Sequence, residues 1–350
     1  MGVTLTSLSD IDRLPHDAII DARSPSEFAE DHVPGAINLP VLDDAERAQV
    51  GTIYAQESPF RARKVGAALV ARNAARHLEE TLADVPGGWR PLVYCWRGGQ
   101  RSGAFASILT QIGWRADTLV GGYRSYRRLV VRALYETRWS PEILVLDGNT
   151  GTAKTALLER LSAMGAQVID LEGLARHRGS ILGPDTVAQP AQKAFETELA
   201  RALGKFTPGQ PVIVEAESSK VGDRVLPPAL WAAMRRGPRI VIEAPIAARA
   251  AYLAGAYSDL SADPARLCGL LAQLRSYHGA RLVEHWQGLA ADGDHVTLAK
   301  ELVETHYDPR YAKSRDRWAG PVRAVLKTNT LDAAALDQLA VQILALMTSP

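Results

Sequence analysis

The sequence predicts two successive α/β domains, each built on a parallel β-sheet covered by helices. Short apolar runs alternate with helical segments through both halves of the 350-residue chain. Pro141 follows a helix-like stretch and precedes a new apolar strand. Hydrophobic residues make up 47% of the chain, a proportion typical of globular domains. We therefore predict a first domain over 1–128, a linker helix over 129–140 and a second domain over 141–350.

In the first domain, three apolar runs read as strands: AIIDAR (18–23), AINLPV (36–41) and PLVYCW (91–96). Longer helical patterns cover 63–82 and 101–113. Strands that alternate with helices favour parallel pairing, because a parallel pair needs a crossover connection.

The second domain repeats the alternation. Its strands are predicted at 142–148, 167–172, 211–217 and 239–245, and an alanine- and leucine-rich helix is predicted at 331–347. We find neither a tandem repeat nor a low-complexity tract. The second half is therefore again α/β.

Composition narrows the functional classes. The 40 Lys and Arg residues nearly balance 39 Asp and Glu, giving a formal net charge of +1, so an RNA partner needs a local basic patch. The two cysteines, Cys95 and Cys268, suggest neither a disulfide framework nor a cysteine-based zinc site, and they favour a cytoplasmic, reducing location. No apolar run approaches the roughly 18 residues that cross a bilayer, and no export signal is recognisable, so we expect no membrane association.

Cys95 lies in a loop suited to an anion. The stretch YCWRGGQRS places Cys95 directly after a strand and a helix start at Ser102. Loop amides and a helix N-terminus stabilise a thiolate or an oxyanion, so we predict a nucleophilic Cys95 with a lowered pKa. Cys268, in the helical ARLCGLLAQL, is predicted to be a core residue. The predicted site comprises Cys95, Arg97 and Arg101, with the loop residues Trp96, Gly98, Gly99 and Gln100.

A second anion site is predicted at LVLDGNTGTAKT. It matches the phosphate-binding pattern Gly-x-x-x-x-Gly-Lys-Ser/Thr except that Ala153 replaces the second glycine. If Ala153 is helical, it is favourable relative to Gly by up to about 1 kcal/mol. If it needs positive φ, it costs about 1–2 kcal/mol. The predicted diphosphate-binding residues are Gly148, Asn149, Thr150, Gly151, Thr152, Lys154 and Thr155.

Charged residues near the later strands are candidates for Mg²⁺, tRNA or phosphate contacts. Glu215 and Glu217 follow one strand, where a carboxylate can reach a magnesium ion, and Asp170 and Glu172 after another strand are the alternatives, although acidic strand ends are common. The basic turn contains Arg176, His177 and Arg178; its alternative interpretation is a solvent-exposed turn. No metal site is certain from the sequence.

A cluster of arginines and aromatics follows the first domain. Arginines contact phosphates and aromatics stack on unpaired bases, so this segment is a candidate RNA surface, with an ordinary charged linker helix as the alternative. The residues concerned are Arg124, Arg127, Arg128, Arg132, Arg138, Tyr123, Tyr126, Tyr135 and Trp139.

The first domain resembles the rhodanese family. The resemblance rests on DARSPSEFAEDHVPGAINLPV (21–41) followed by the strand-end Cys loop. It implies a cysteine that carries sulfur or selenium as a persulfide or perselenide, and a structural role for His32. The five residues between Cys95 and Arg101 also resemble the loop of cysteine phosphatases, but Tyr94 stands where those enzymes commonly have His.

Nearly the whole chain resembles the bacterial tRNA 2-selenouridine synthases. The resemblance includes ERAQVGTIY, YCWRGGQRS, GGYRSYR, DLEGLARHRGS, VEAESSKVG and HYDPRY. It implies that wobble 2-thiouridine is S-geranylated from geranyl diphosphate and then converted to 2-selenouridine with selenium from selenophosphate.

By the same resemblance, Cys95 carries selenium as a perselenide, the residues from Arg97 to Arg101 frame selenophosphate, and Gly148 to Thr155 hold the prenyl diphosphate. The implied partner is tRNA, with a selenophosphate-supplying enzyme as a candidate partner. We expect no tightly bound cofactor, with Mg²⁺ as a candidate. Because the family more often has Gly at position 153, Ala153 argues against nucleotide hydrolysis.

The residues alone are also compatible with two alternative functions. One is a rhodanese-fold phosphatase that uses Cys95 and Arg101, and the other is an ATP-dependent sulfur-relay or regulatory protein. The sequence does not indicate an oligomeric state.

Overall fold

The computed structural model describes residues 2–137, 141–180, 187–315 and 319–348. It divides into two compact units. Unit 1 comprises Met1–Thr137 and Pro190–Gly204, and unit 2 comprises Arg138–Gln189 and Lys205–Pro350. Of the predicted linker helix, residues 138–140 lie outside the described residues. No helix in the described ranges is both long and apolar enough to span a membrane.

Unit 1 contains a five-stranded parallel sheet of order β1-β5-β4-β2-β3. The central strand β4 is buried along its whole length, so the residue that follows it emerges at the carboxyl edge of the sheet. The strands are β1 (Gly2–Val3), β2 (Ala18–Asp21), β3 (Ala36–Asn38), β4 (Pro91–Tyr94) and β5 (Asp117–Leu119).

The helices of unit 1 pack around this sheet, and Phe105 and Leu109 join Ile20 and Val93 of the sheet in one apolar core. A 3₁₀ helix covers Leu8–Arg13, and a π-helical turn, Arg132–Glu136, continues α5. The α-helices are α1 (Pro25–Glu30), α2 (Asp44–Gln56), α3 (Pro59–Glu79), α4 (Gln100–Ile112) and α5 (Gly122–Val131).

Unit 2 contains a second five-stranded parallel sheet, of order β12-β11-β6-β8-β7, and a short antiparallel hairpin of β9 and β10. All residues of β6 are buried, as expected for a central strand covered on both faces. The strands are β6 (Ile143–Gly148), β7 (Gln167–Ile169), β8 (Val212–Glu215), β9 (Lys220–Val221), β10 (Arg224–Val225), β11 (Arg239–Glu243) and β12 (Val322–Lys327).

The helices of unit 2 form two groups. One group covers the sheet, and its core joins Leu157, Leu158 and Leu339 to the strands. The other forms a separate apolar cluster around Trp286 and Leu271, against which Cys268 packs. The helices are α6 (Lys154–Ala163), α7 (Leu171–Ala175), α9 (Pro228–Arg236), α10 (Ile246–Ala256), α11 (Ser258–Ser261), α12 (Pro264–Ala272), α13 (Arg275–His278), α14 (Ala280–Ala291), α15 (His295–Leu302), the π-helical turn Val303–Tyr307, α16 (Asp308–Arg315) and α17 (Ala333–Thr348).

Helix α8 (Gln192–Gly204) packs within unit 1 although the chain has already entered unit 2 before it. Its Thr197 Oγ1 donates to Asp31 Oδ2 at 2.9 Å. Glu196 pairs with Arg127 and accepts a hydrogen bond from Tyr135 Oη at 2.8 Å. Unit 1 is therefore completed by a helix from the second half of the sequence.

The fold class predicted from the sequence is confirmed: both units are α/β with parallel sheets. The prediction missed the edge strands β1 and β12, of two and six residues, and the three-residue strand β5, which lies between β1 and β4; few of their residues are buried. Between residues 246 and 315 it assigned only the helical ARLCGLLAQL (265–274), which corresponds to α12, and left the other helices unassigned.

Candidate functional site

The Cys95 loop turns at a glycine, Gly98, that has no room for a side chain. Cys95 is 4% exposed and directly follows β4, and α4 begins after Gly99. Gly98 has a φ of 64°, and a Cβ there would lie 2.5 Å from the carbonyl oxygen of Leu119. The backbone must therefore turn tightly just before the helix N-terminus, as in an anion-binding nest.

The segment GGYR closes this loop from the other side. The Tyr123 amide donates to the Cys95 carbonyl at 2.8 Å, and the Arg124 amide donates to the Trp96 carbonyl at 3.0 Å. A Cβ at Gly122 would lie 2.2 Å from the Cys95 carbonyl oxygen. This motif therefore fixes the Cys95 loop.

The surroundings of Cys95 favour its thiolate. Burial raises the pKa of the thiol, but hydrogen bonds from Ser102 and from the amides of Ser102 and Gly99, together with the charge of Arg101, outweigh it and lower the pKa. Ser102 Oγ donates to Cys95 Sγ at 3.2 Å. These contacts favour the reactive thiolate, and the nucleophilic role of Cys95 stays a prediction. Sequence reasoning took Ser102 only as the helix start; its place one residue after Arg101 was the available signal.

Arg101 is held by a carboxylate rather than left free. Its Nη1 lies 2.8 Å from Glu27 Oε2, and Arg47 Nε lies 3.0 Å from the same oxygen. Burial raises the pKa of Glu27, but the two arginines outweigh it, so the carboxyl is ionised. Arg97, Gly99 and Gln100 are exposed at the rim of the loop, and the Trp96 ring lies 5.4 Å from that of Tyr123.

His32 and Tyr94 have structural contacts. His32 Nδ1 lies 2.9 Å from the Phe28 carbonyl oxygen, and its ring stacks on Phe28 at 3.8 Å between centroids. Tyr94 Oη accepts a hydrogen bond from the Val33 amide at 3.0 Å. Both side chains support the strand-turn-helix segment after β2.

The second predicted loop joins β6 to α6 at the carboxyl edge of the unit 2 sheet. Gly151 has a φ of 86°, and a Cβ there would lie 2.9 Å from Leu253. Lys154 Nζ donates to the Gly148 carbonyl at 2.9 Å, and Thr152 Oγ1 donates to the Asn149 carbonyl at 2.9 Å. The loop therefore curls back on itself in front of the α6 N-terminus, where amides and the helix dipole favour phosphate.

Ala153 occupies a left-handed backbone conformation, with φ 59° and ψ 32°. Of the two outcomes expected from the sequence, the structure shows the one that costs about 1–2 kcal/mol. Ala153 is 4% exposed and belongs to the same apolar core as Leu157.

The second predicted loop, residues 148–155, is called the phosphate loop below. It opens into a cavity of about 840 Å³. Of the predicted residues, those that line it are Thr150, Gly151, Thr152, Lys154, Thr155, Arg176, His177, Arg178 and Glu217. Its walls are rich in aromatic side chains: Trp231, Tyr252, Tyr257, Tyr277, Tyr307 and Tyr311. A smaller cavity of about 50 Å³ shares Thr150, Leu253, Tyr257 and Tyr307 with it and is otherwise lined mainly by leucine and alanine.

Carboxylates gather beside Thr155. Thr155 Oγ1 donates to Glu172 Oε2 at 3.1 Å, and the Glu172 amide donates to Glu215 Oε1 at 2.8 Å. Burial, with Asp170 and Glu172 nearby, raises the pKa of Glu215 well above its usual range. Burial and Glu172 do the same for the pKa of Glu217.

The candidate magnesium ligands divide between cavity and core. Glu217 lines the cavity, Glu215 is 2% exposed, and Asp170 caps α7 by accepting a hydrogen bond from the Gly173 amide at 2.8 Å. Within the described ranges, no group of three or more His, Cys, Asp or Glu side chains is arranged to hold a metal ion. The magnesium site stays a prediction.

The basic turn forms one wall of the cavity. Arg178 Nη2 donates to Asp259 Oδ1 at 3.0 Å, and its guanidinium lies 4.6 Å over the Tyr257 ring. His177 Nδ1 accepts a hydrogen bond from the Gly179 amide at 3.1 Å, and burial lowers the pKa of His177. Arg176 has a left-handed backbone, with φ 49°.

Sequence reasoning assigned no role to HYDPRY (306–311), four of whose residues line the same cavity. His306 is 4% exposed, and its Nδ1 lies 2.9 Å from His278 Nε2. Burial, Arg310 and His278 lower the pKa of His306 to about 4, so the imidazole is neutral. Arg310 lies 4.1 Å over the Tyr277 ring. The concentration of aromatic and ionisable residues within six positions was the available signal.

Comparison with known proteins gives both units a family. The family model of the rhodanese-like domain matches residues 5–129, and that of the tRNA 2-selenouridine synthase AAA domain matches residues 141–277. These regions contain the Cys95 loop and the phosphate loop respectively.

Curated relatives match across both units. The tRNA 2-selenouridine synthase of Bdellovibrio bacteriovorus is 32% identical, over 85% of this chain and 89% of the relative. That of Cupriavidus necator is 33% identical, over 86% and 89% respectively. That of Nitrosomonas europaea is 37% identical over 66% of this chain, a match that spans 61% of the relative. With both domain models and relatives matched along most of their length, the chain belongs to the tRNA 2-selenouridine synthase family.

Proposed function

We propose that this protein converts wobble 2-thiouridine in tRNA to 2-selenouridine in the cytoplasm, through an S-geranylated intermediate. Geranyl diphosphate and selenophosphate are the donors. The relatives named tRNA 2-selenouridine synthase support the overall reaction, and the two anion-binding loops support a separate site for each phosphorylated donor.

The observation that carries the geranyl step is the junction of a phosphate loop with aromatic and apolar walls. The amides from Gly148 to Thr155 and the Lys154 ammonium suit a diphosphate. Beyond them lie tyrosines and the small cavity bordered by Leu253, which suit a branched hydrocarbon. A donor with a diphosphate head and an apolar tail matches both parts of the cavity.

In the proposed first step, the sulfur of 2-thiouridine attacks C1 of the geranyl group. The bond between C1 and the diphosphate oxygen breaks, and the diphosphate leaves with the electron pair. Its added charge is stabilised by the loop amides and Lys154, because these donors are fixed before the reaction. The aromatic walls exclude water, which would otherwise hydrolyse the donor.

In the proposed second step, the selenium of selenophosphate held in the Cys95 loop bonds to C2 of the base, and geranylthiolate leaves with the electron pair of the C2–S bond. Water then cleaves the Se–P bond and orthophosphate leaves, so selenium stays at the selenide level throughout. The buried thiol and the loop amides suit a selenium carrier and an anionic donor. Arg101, held by Glu27, fixes one side of the selenophosphate, and Arg97 at the rim meets it from solvent. An enzyme that supplies selenophosphate is a candidate partner.

The test incubates the protein with 2-thiouridine tRNA, geranyl diphosphate and selenophosphate, followed by nucleoside mass analysis. Cys95→Ala is expected to keep geranylation and lose selenation, whereas Lys154→Ala lowers geranylation. If wild-type protein yields neither modified nucleoside and instead releases orthophosphate from a phosphoester, it is a phosphatase. Loss of both steps in each variant would contradict the division of labour between the loops.

A further inference from the structure

Three arginines form an exposed row along α5 and the first residue of the π-helical turn that continues it. Arg124, Arg128 and Arg132 are exposed and lie four residues apart, so they share a face of the helix. Successive members are about 6 Å apart along the axis, since an α-helix rises about 1.5 Å per residue. We call these three residues the arginine row.

The structure separates the arginine row from the rest of the arginine and aromatic cluster found in the sequence. Arg127 pairs with Glu196, and Tyr123 and Tyr126 are buried, so these residues stabilise unit 1. Arg138 and Trp139 lie outside the described residues. Of the arginine and aromatic cluster, the arginine row is the part that faces solvent in the described residues and does not stabilise the core of unit 1.

The charge of the arginine row is not compensated within the described part of the chain. None of its members forms an ion pair there, and Arg132 Nη2 donates to the Thr6 carbonyl at 2.9 Å, which fixes the guanidinium and leaves its charge. The chain has a formal net charge of only +1. The row is therefore a local attractor for a polyanion rather than part of a globally basic surface.

The row begins at the Cys95 loop. The amide of Arg124, its first member, donates to the Trp96 carbonyl at 3.0 Å, and the amide of the preceding residue, Tyr123, donates to the Cys95 carbonyl at 2.8 Å. Arg97, exposed in the loop itself, adds a fourth cation at that end. A nucleic-acid strand laid along the row therefore has one end at the nucleophile.

We propose that the arginine row binds successive phosphates of the tRNA strand next to the target nucleotide and so delivers its base to Cys95. This inference rests on the proposed function, since it takes tRNA as the partner. Arginine suits the task because its guanidinium binds phosphate oxygens in a forked geometry. Of the aliphatic residues of the same helix, Leu129 and Val130 are buried and Val131 is half-buried, so the row offers little apolar surface for lipid insertion.

The test compares R124Q/R128Q with R72Q/R76Q. Arg72 and Arg76 are also exposed, four residues apart on α3, and without an ion pair to a described residue, so each double variant removes two matched charges. Binding of 2-thiouridine tRNA is measured across a series of salt concentrations. For R124Q/R128Q, the slope of log affinity against log salt should shrink by about 1.4–1.8, the loss of two phosphate contacts. R72Q/R76Q should keep the wild-type slope.

The outcomes separate this inference from the proposed function. Equal slopes for wild type and R124Q/R128Q, or equal losses in the two double variants, would overturn the row while leaving the enzyme intact. Binding of anionic phospholipid vesicles that depends on the row, with an unchanged tRNA slope, would overturn it as well. An unaltered rate of Cys95 alkylation in R124Q/R128Q would show that the loop is still folded. Absence of 2-selenouridine with wild-type protein would instead refute the proposed function.

Discussion

At the scale of single residues, Cys95 shows how several small contacts outweigh burial. Burial alone raises its pKa, whereas Ser102, two amides and Arg101 lower it. The thiolate is therefore kept by donors that the loop positions before any substrate binds. Both cysteines are free thiols, so Cys268→Ala provides a background in which Cys95 alone reacts.

In that background, we expect the rate of iodoacetamide alkylation to rise with pH through a midpoint below the ordinary thiol value. Ser102→Ala and Arg101→Gln each remove a group that favours the thiolate, so both should move the midpoint upward. Stopped-flow or mass-resolved alkylation from pH 5 to 10 measures it. Unchanged midpoints in both variants would mean that the amides alone set the pKa.

His306 gives a stability prediction with a defined sign. Burial, Arg310 and His278 lower its pKa from 6.5 to about 4 in the folded chain. The unfolded chain therefore takes up a proton below pH 6.5 that the folded chain refuses until about pH 4. Stability should fall as the pH drops through this window, by up to about 3 kcal/mol.

His306→Gln should flatten this dependence, measured as the melting temperature between pH 7.5 and 4.5. The exposed His285 offers a control, and His285→Gln should keep the wild-type slope. A wild-type slope in His306→Gln would show that other groups carry the acid sensitivity of unit 2.

At the scale of elements, the sequence located both loops because their signals are local. Cys95, the paired glycines after it and the start of α4 lie within a dozen residues, and Gly148, Lys154 and Thr155 lie within a dozen residues of each other in the second loop. The aromatic walls of the unit 2 cavity come instead from Trp231, Tyr252, Tyr277 and other residues spread across many helices. No local pattern joins them, because only tertiary packing brings those helices to one cavity.

Backbone angles are a further limit of the sequence. Periodicity does not distinguish a helical Ala153 from a left-handed one. The ion pair of Arg101 could not be predicted from the sequence either, because Glu27 lies 74 positions away in a motif whose predicted role is structural.

Gly122 offers a direct test of the loop that GGYR closes. A Cβ there would lie 2.2 Å from the Cys95 carbonyl oxygen, and φ is 58°. Gly122→Ala should therefore shift the loop, slow Cys95 alkylation and destabilise unit 1 by about 2 kcal/mol or more. Gly103 lies in α4 with nothing within 4 Å of its Cβ position, so Gly103→Ala should be neutral or stabilising by up to about 1 kcal/mol. Equal alkylation rates and equal stabilities of Gly122→Ala and Gly103→Ala would contradict this role for Gly122.

Ala153 tests the phosphate loop in the same way. Ala153→Gly relieves about 1–2 kcal/mol of left-handed strain and gives up roughly 0.8 kcal/mol of methyl burial. We expect unfolding free energy within about 1 kcal/mol of wild type, with geranylation retained. Ala153→Val, which adds a β-branched side chain at the same φ, should cost about 2 kcal/mol or more. Denaturant unfolding measures the stability of both variants. If Ala153→Gly gained ATP turnover, the loop would instead be that of a nucleotidase that has lost its activity.

At the scale of the whole molecule, sequence order and compact units do not coincide. Helix α8 follows the phosphate loop in the chain but packs in unit 1. The sequence of α8 has the pattern of an ordinary amphipathic helix. No local sequence signal therefore shows which unit the helix packs against. The hydrogen bonds reach the nucleophile: Thr197 and Tyr123 Oη both donate to Asp31 Oδ2, and the Tyr123 amide donates to the Cys95 carbonyl.

Thr197→Val should therefore loosen the Cys95 loop although Thr197 lies in the second half of the chain. The change keeps the shape of the side chain and leaves the buried Asp31 carboxyl with one donor fewer, which costs about 1–3 kcal/mol. Hydrogen exchange should become faster in the amides of unit 1 around β4 and α5. The exposed Thr81 is the matched control, and Thr81→Val should leave exchange unchanged. Faster exchange confined to unit 2 would show that α8 does not support the Cys95 loop. Helix α8 would then belong with unit 2, as its position in the sequence suggests.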